Sequence, residues 1–310
     1  MALGQVPLLT AAQYGGDTTA EGVVQTLIEE NPLLEVIPWR TFTGNALIKK
    51  VEGTLPDPQF RQVNATYTNS YGADEYNTWG VAILGSQYTI DNYEQLVVAN
   101  EYDLEAEQIR KHAKAMSMRF TYEAVYGVSA GGVGFKGLKA LVADGFGQLV
   151  TQAAGAMTLA KLDEAIDAMQ GQYQPSAALV SQAHTRKITN LVQQTPGGGM
   201  ILDVTQNERG ERRMSYAGIP LMVIRQSRDG AGNTIDTLGY IETASTSSIY
   251  FVALSMDAVC GLMGAGGSLT VKRFGELQAA PARMGRLEWY PGIASFDRYG
   301  LVRYENITNA

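Results

Sequence analysis

Residues 103–126 read DLEAEQIRKHAKAMSMRFTYEAVY and form the longest helical pattern in the chain. Apolar side chains recur mostly every three or four residues, which is the spacing of one buried helix face. These side chains are Leu104, Ile109, Ala113, Met116, Phe120 and Ala124. Asp103 can cap the N-terminus and Gly127 can end the helix. At about 1.5 Å per residue the helix would be roughly 35 Å long, which is more than an ordinary domain helix needs.

Upstream of this helix, residues 35–76 are rich in Thr, Asn, Gly, Pro and isolated charges. Two alternating stretches, WRTFTGNALIKKV and QFRQVNATYT, flank a turn at residues 53–58, and this arrangement predicts a long β-hairpin. The hairpin has too few large apolar residues for a core of its own, and an isolated two-stranded ribbon is marginally stable in water. We therefore expect the hairpin to rest on another molecule.

Residues from about 138 to 270 combine helical and strand patterns, which is typical of a compact α/β body. The predicted elements are helices at 159–170 and 182–194 and strands at 219–224 and 249–254. The last stretch, RMGRLEWYPGIASFDRYGLVRYENI, alternates apolar and polar side chains around Pro291 and Gly292. It predicts strands that are interrupted by a turn or a bulge.

The composition describes a folded, acidic protein. The chain has 310 residues, 45% hydrophobic side chains and a formal net charge of −7. This apolar content is sufficient for one large domain or for two to three smaller ones. The negative charge argues against a protein whose whole surface binds nucleic acid. A single cysteine, Cys260, lies in an apolar run and predicts a buried, inert thiol.

The first twenty residues contain neither a basic region nor a long apolar stretch, so neither a signal peptide nor a transmembrane helix is expected. A short amphipathic helix is predicted to begin at Asp17 and to stop at Pro32, because Asp17 can cap it and proline interrupts a helix.

A hydrolase motif is present but poorly supported. Residues 127–131 read GVSAG and fit the G-x-S-x-G pattern of a nucleophile elbow, with Ser129 as the nucleophile. An elbow needs a strand before the serine, whereas this serine follows a helix. Only His184, with Asp163 or Asp167, could complete a triad in the required order, and too little chain then remains for the other strands of that fold. A glycine-rich exit from the helix is the simpler interpretation.

The glycine-rich stretch after the long helix also predicts a hinge. Gly127, Gly131, Gly132 and Gly134 lie between the helix and the α/β body, and glycine adopts backbone conformations that other residues avoid. The stretch lacks the Lys-Ser or Lys-Thr of a phosphate-binding loop, and no histidine lies beside the acidic residues of the body. We therefore expect neither a cofactor nor a bound metal.

Three further motifs carry a resemblance to a known family. They are EENPLLEVIP at 29–38, FKGLK at 135–139, and RLEWYPG at 286–292 followed by Phe296 and Asp297. With these motifs in this order, almost the whole chain resembles the major capsid proteins of tailed bacteriophages with the Hong Kong 97-type fold. The resemblance implies an α+β fold with an N-arm, an extended E-loop hairpin, a P-domain built on a long spine helix, and an A-domain.

The resemblance also assigns a segment to each part of the chain. The segments are the N-arm at 1–40, the E-loop at 41–78, the P-domain with its spine helix at 79–137, the A-domain at 138–270 and the C-terminal strands of the P-domain at 271–310. In this family the E-loop overlaps a neighbouring subunit. The candidate intersubunit contacts are therefore Lys49, Lys50, Phe60 and Arg61.

The implied function is structural and not enzymatic. The chain would assemble into pentamers and hexamers of an icosahedral head shell, which encloses double-stranded DNA through weak contacts that do not depend on sequence. The expected partners are further copies of the chain, a separate scaffolding protein and a portal protein, with a decoration protein as an optional addition and no membrane. Assembly would take place in the cytoplasm of a bacterial host, and the product would be the capsid of the virion.

Two features limit what the resemblance implies. Some members begin with a fused scaffolding segment, but here the first helical pattern begins at Asp17, so scaffolding is expected as a separate protein. Some members form lysine–asparagine cross-links near the E-loop tip, but residues 53–58 contain no lysine, so none are expected. Two alternative functions stay open: an encapsulin-like nanocompartment subunit and a hydrolase that uses Ser129.

Overall fold

The computed structural model describes the chain from residue 31 onward, with several gaps. The described residues are 31–44, 46–98, 103–129, 133–169, 173–195, 202–206, 212–224, 226–229, 231–236, 246–264 and 269–308. The helix predicted from Asp17 lies outside these ranges, as do Gly131 and Gly132 of the predicted hinge.

Helices and strands are mixed along the described chain, which confirms the predicted α+β class. The helices are α1 (Pro32–Val36), α2 (Asn92–Val98), α3 (Leu104–Tyr126), α4 (Leu138–Ala143), α5 (Leu159–Asp167) and α6 (Gln182–Gln194). The strands are β1 (Trp39–Thr41), β2 (Ala46–Thr54), β3 (Ala73–Gly80), β4 (Leu84–Asp91), β5 (Gln148–Gly155), β6 (Ala177–Val180), β7 (Leu202–Gln206), β8 (Arg212–Tyr216), β9 (Ile219–Val223), β10 (Gln226–Arg228), β11 (Thr234–Asp236), β12 (Thr246–Val252), β13 (Val259–Met263), β14 (Thr270–Glu276), β15 (Ala282–Trp289), β16 (Pro291–Ser295) and β17 (Leu301–Thr308).

The strands form one large sheet and several small ones. The large sheet has the order β5-β17-β12-β6-β9-β8-β7 and contains both parallel and antiparallel neighbours. The three-stranded sheets are β1-β13-β16 and β14-β15-β4, and the two-stranded pairs are β2-β3 and β10-β11. Helices α5 and α6 belong to the large-sheet body, where they confirm the helices predicted at 159–170 and 182–194.

Helix α3 is the long helix that the sequence predicts. The Asp103 carboxylate caps it by accepting hydrogen bonds from the backbone N–H groups of Glu105 and Ala106, and the helix ends at Gly127. Phe120, on the buried face in the C-terminal third of the helix, lies 4.9 Å from the Trp289 ring of β15 and 5.9 Å from the Trp39 ring of β1, between ring centroids. Aromatic pairs at such distances contribute about 0.5–1.5 kcal/mol beyond their buried area. The helix therefore holds the two three-stranded sheets together.

Pro32 lies at the start of a helix, and the helix predicted to stop at this residue lies outside the described ranges. Pro32 occupies the first turn of α1, where its missing N–H group has no partner to lose. Asn31 caps this helix by accepting from the N–H of Leu33, and its amide nitrogen donates to Thr121 Oγ1 on α3 at 2.7 Å. The described chain thus starts at a fixed contact with the long helix.

The hairpin is present, but its second strand lies later in the chain than predicted. The stretch QFRQVNATYT, predicted as the return strand, belongs to residues 55–72, which connect β2 to β3 without strand pairing. Pro56 and Pro58 lack the N–H groups that a strand ladder needs, so pairing does not continue past β2. We call residues 46–80 the arm and residues 55–72 its tip.

Strands of two predicted segments share sheets with strands of other segments, and the segment assignment itself stays a prediction. Strand β17, which the prediction assigns to the P-domain strands at 271–310, lies inside the large sheet between β5 and β12. Strand β13, from the predicted A-domain at 138–270, pairs with β1 and β16. The predicted boundary at residue 270 therefore does not separate one sheet from another. Apolar alternation shows that a strand exists, but it does not show which strand it pairs with.

Helix α6 is tied to the large sheet by His184, whose ring lies between two buried serines. Nδ1 is 2.6 Å from Ser181 Oγ, and Nε2 is 2.7 Å from Ser247 Oγ. Ser247 also donates to the carbonyl of Ile307, so a neutral ring that accepts from Ser181 and donates to Ser247 satisfies every partner. Burial, and to a smaller extent the charge of Lys187, lowers the pKa of His184 to about 4.

The segment after α3 folds back onto the helix through close backbone contacts. The N–H of Gly127 donates to the carbonyl of Glu123, and the N–H of Gly137 donates to the carbonyl of Gly127. A Cβ on Gly127 would lie 2.2 Å from the Phe135 carbonyl oxygen, so only glycine fits at this position. Gly134 has a φ of 84°, which is in the left-handed region. The hinge itself stays a prediction.

We expect Gly127→Ala to destabilise the fold by about 2 kcal/mol or more, because its Cβ would collide with backbone atoms that cannot move alone. Urea unfolding would measure the change. Gly275→Ala is the matched control, since no atom lies within 4 Å of a Cβ at that position. Equal stability of the two variants would contradict the close backbone contact and would favour a loosely packed hinge.

The free energy of unfolding of the chain is expected to decrease as the pH is lowered from 6.5 to 4. In this window an unfolded histidine binds a proton, whereas His184 in the folded chain does not, so acid favours unfolding. Above pH 6.5 the contribution is fully present, and the loss by pH 4 is about 3 kcal/mol. Urea unfolding across this pH range would measure it. The variant His184→Gln should not show this loss of unfolding free energy between pH 6.5 and pH 4. If its stability falls with pH as steeply as that of the wild type, the loss comes from other groups.

Candidate intersubunit surface

The arm has two faces with different surroundings, because successive side chains of a strand point to opposite sides. The buried or half-buried face carries Leu47, Lys49, Val51, Asn77 and Trp79, and the exposed face carries Ile48, Lys50, Tyr76 and Thr78. Trp79 anchors the first face: its ring packs edge-on against Phe296 at 4.9 Å and lies 5.6 Å from Phe146. The base of the arm is thus fixed to its own chain, while the second face is open to solvent.

The tip and the open face carry large apolar side chains, and each of them is at least 62% exposed. These side chains are Ile48, Leu55, Phe60, Val63, Tyr67, Tyr71 and Tyr76. Single exposed apolar side chains are normal on a protein surface, but seven of them within residues 48–76 indicate an interaction site. A two-stranded ribbon gains little stability from its own contacts. The arm therefore presents the surface that the sequence predicts to rest on another molecule.

The two predicted lysines are engaged within their own chain. Lys49 lies 3.7 Å from the Asp257 carboxylate, and its ammonium group sits 4.2 Å above the Phe296 ring. Lys50 pairs with Asp74 on the neighbouring strand at 2.6 Å, and this hydrogen bond raises the pKa of Lys50. Lys49 thus helps to hold the base of the arm, and the role of both lysines as intersubunit contacts stays a prediction.

Phe60 and Arg61 lie in the tip, where a neighbouring molecule can reach them. Phe60 is fully exposed. Arg61 stacks over the Tyr67 ring at 5.3 Å and donates to the carbonyls of Gln62 and Ala65 at 3.4 and 3.3 Å. These contacts shape the tip but leave the arginine exposed. The positions of both residues fit their predicted role, which stays a prediction.

The described residues do not bring a hydrolase triad together around Ser129. Ser129 has a φ of 51° and follows helix α3, whereas an elbow requires a strand before the serine. Both ring nitrogens of His184 face buried serines other than Ser129. Asp163, a candidate acid, accepts a hydrogen bond from the Tyr216 hydroxyl at 2.8 Å.

Cys260 is fully buried, and burial raises the pKa of its thiol to about 12, which confirms the predicted buried thiol. Within the ranges that the structure describes, no three acidic, histidine or cysteine side chains converge to hold a metal. None of the helices in those ranges is both long and apolar enough to cross a membrane.

Sequence reasoning missed a second exposed apolar surface, on helix α2. Tyr93, Leu96 and Val97 are 73%, 76% and 61% exposed. Their spacing of three and four residues is the available signal, since such side chains share one helix face. In most surface helices that face turns to the core, but here it turns to solvent.

Neither the scan against protein-family models nor the search of curated proteins found a match. Solved structures do match. The chain is similar to the SrpI encapsulin of Synechococcus elongatus PCC 7942, with a TM-score of 0.65, 18% identity and coverage of 90% of this chain and 88% of that one.

Two capsid structures match at a comparable level. For the capsid of a native GTA particle the TM-score is 0.62 at 11% identity, over 94% of this chain and 91% of that one. For Microbacterium phage Oxtober96 the TM-score is 0.63 at 11% identity, over 89% and 90%. These likenesses extend along nearly the whole of each chain, and they include an encapsulin, the capsid of a GTA particle and a structure from a phage. The chain therefore has the Hong Kong 97-type fold.

Proposed function

We propose that this chain is the major capsid protein of a tailed bacteriophage, and that it assembles into the pentamers and hexamers of an icosahedral head. The observation that carries the proposal is the arm: its base is anchored by Trp79, and its open face and tip expose seven large apolar side chains. Such a surface becomes stable when a further copy of the chain covers it. The likeness to capsids of a GTA particle and of a phage supports this proposal.

An arm that lies on a neighbour makes a heterologous contact, because the surface it offers differs from the surface it covers. Contacts of this kind form rings when the rotation between subunits closes, and they form open filaments when it does not. Closed rings of five and six subunits are the units from which an icosahedral shell is built. The same arm can serve in both kinds of ring if small changes at its base adjust the angle.

The packaged molecule in this proposal is double-stranded DNA. The net charge of −7 gives the chain no general attraction for phosphates, so contacts with the genome would be weak and independent of sequence. A closed shell retains its contents without strong binding. The further proposed partners are a separate scaffolding protein, a portal protein and an optional decoration protein. Assembly is proposed to occur in the cytoplasm of the bacterial host, and the mature chain would belong to the virion.

The second candidate function is a nanocompartment shell that encloses a partner enzyme. The likeness to an encapsulin supports it, because that structure covers the chain as fully as the phage capsids do. Both candidates are structural proteins without catalysis. Purified particles would separate them: packaged DNA of uniform length favours the phage head, and a single enclosed protein favours the nanocompartment.

A hydrolase function for Ser129 remains the third candidate. A fluorophosphonate probe would test it directly. Covalent labelling of the chain that is lost in Ser129→Ala would support catalysis and would contradict the purely structural proposal.

The purified chain, alone or with a candidate scaffolding protein, is expected to form rings of five and six subunits or closed shells. The double variant Ile48→Asp and Tyr76→Asp should reduce particle formation at least tenfold, because it puts charge on the open face of the arm. Both side chains are exposed, so the thermal stability of the monomer should be unchanged. Light scattering and negative-stain microscopy would measure particle mass and shape.

The single variant Val204→Asp is the control for this experiment, since Val204 is an exposed apolar residue on β7, far along the chain from the arm. It should assemble normally. A monomeric wild-type chain under both conditions would contradict the capsid proposal.

Particles of this chain are expected to dissociate into single chains in boiling denaturant. The whole tip, residues 55–72, lacks lysine, and Lys50 of the first strand is paired with Asp74. The reactive amine of a lysine–asparagine cross-link is therefore missing from the tip. Denaturing gel electrophoresis would test this, and a ladder of multimers that survives boiling would contradict it.

A further inference from the structure

We infer that the ion pair between Glu35 of α1 and Arg213 of β8 sets the orientation of the large sheet relative to the long helix α3. Arg213 Nη2 lies 2.7 Å from Glu35 Oε2, and the two side chains are 13% and 19% exposed. A charge with so little access to water needs its partner. The contact joins the segment that leads into the arm to a strand near the end of the large sheet.

Helix α1 is attached to α3 independently of this ion pair. The side-chain amide of Asn31 donates to Thr121 Oγ1, and Thr121 donates to the carbonyl of Ser117, one turn earlier on α3, at 2.9 Å. Asn31 and Thr121 are 3% and 4% exposed. Because a hydrogen bond has a narrow range of lengths and angles, this buried contact fixes the position of α1 on α3. Glu35 therefore meets the large sheet from a fixed point.

Strand β8 is the place where the large sheet and the unit of α1 and α3 meet. Its pairing with β9 covers residues 215 and 216, whereas Arg213 lies before them and pairs with β7. Met214, the next residue, accepts a hydrogen bond from the Thr189 hydroxyl of α6 at 3.8 Å. Successive side chains of a strand point to opposite faces, so one face of β8 contacts α6 and the other contacts α1.

Apolar packing also joins these layers, but it does not choose between similar orientations. One buried cluster contains side chains of α1, α3 and the large sheet, among them Leu34, Phe120 and Met222. Apolar attraction is non-directional, whereas a charge-assisted hydrogen bond requires one geometry. Buried ion pairs contribute little net stability compared with apolar replacements, and in some proteins they select one arrangement. The pair of Glu35 and Arg213 therefore has a positioning role.

The test is the double variant Glu35→Leu and Arg213→Met, which replaces the ion pair by apolar side chains of similar size. The fold should be kept, because such replacements of buried pairs are often neutral or stabilising. Each single variant should unfold at a lower urea concentration than the double variant, since it leaves one charge buried without this partner. Single variants as stable as the double variant would overturn the inference.

The orientation is measured as the distance between two spin labels, at Arg110→Cys on α3 and Val204→Cys on β7. Both positions are exposed, and the native Cys260 is fully buried. An excess of unlabelled wild-type chain removes distances between different chains. We expect one narrow distance in the labelled parent chain, and a distribution at least twice as wide when the double variant is introduced. A distribution equal to that of the parent would overturn the inference.

The matched control is the double variant Lys161→Met and Glu164→Leu, which removes an exposed ion pair on α5. The side chains of this pair are 36% and 54% exposed. The labelled control chain should keep the distance distribution of the parent, since exposed pairs contribute little. A control that broadens as much as the test variant would show that the effect is not specific to Glu35 and Arg213, and would overturn the inference.

The inference also deepens the proposed function, and this part rests on that function. The arm and the large sheet both lie on the frame of α3, so a variable angle between them would give variable angles between neighbours in a ring. In negative-stain microscopy the double variant should show a spread of particle diameters at least twice that of the wild type. Uniform particles of the wild-type diameter would overturn this link to assembly. A wild-type chain that does not assemble contradicts the proposed function, and the label distances then decide the inference alone.

Discussion

The mutual packing of Phe120, Trp39 and Trp289 is the contact on which the rest of the molecule depends. It joins the C-terminal third of α3 to two sheets whose strands come from distant parts of the chain. Near the start of the same helix, Glu105 accepts from the Tyr88 hydroxyl at 3.0 Å and pairs with Arg273 at 2.7 Å. The helix is therefore held near its start and again in its C-terminal third, and the surfaces around it keep fixed positions.

The arm is held in a fixed position by its contacts with the sheets that pack on α3. Trp79 packs on Phe296, which follows β16 of the sheet that Trp39 joins to α3. Lys49 lies over the same Phe296 ring and adds a cation–π contact from the other strand of the arm. A surface that is held in place before binding loses less conformational entropy when a partner covers it. The open face of the arm can therefore bind with modest area and still be selective.

The sequence predicts those parts of the fold that local chemistry decides. The limits of α3 follow from the Asp103 cap, its apolar spacing and Gly127, and helix α6 lies at the residues where its pattern predicts it. Pairing between distant strands could not be predicted in this way. Strand β17 has the same local sequence whether it pairs with β12 or with β15, because a strand-forming pattern records burial and not the identity of the neighbour.

The same distinction between local features, which the sequence predicts, and long-range ones, which it does not, applies to the candidate intersubunit surface. The lack of a core in the hairpin was visible from composition, and Phe60 and Arg61 do lie in the exposed tip. The direction of Lys49 cannot be predicted from the sequence, because it depends on the register between β2 and β3, and that register places it on the face of Trp79. The exposed face of α2 could not be distinguished from a core-facing one, since a short amphipathic pattern is identical in both cases.

An arm with two strand edges and an apolar face could associate in many ways, and its sequence restricts them. Lys50 and Asp74 pair across the two strands, Glu75 follows directly, and Pro56 and Pro58 begin the tip. Charges and prolines along exposed strands oppose the addition of further strands. Backbone pairing between arms is therefore disfavoured, and the apolar side chains of the open face decide which surface is covered. Side-chain docking of this kind fixes which surfaces meet in every subunit, while small changes at the base of the arm can adjust the angle between the proposed rings of five and of six.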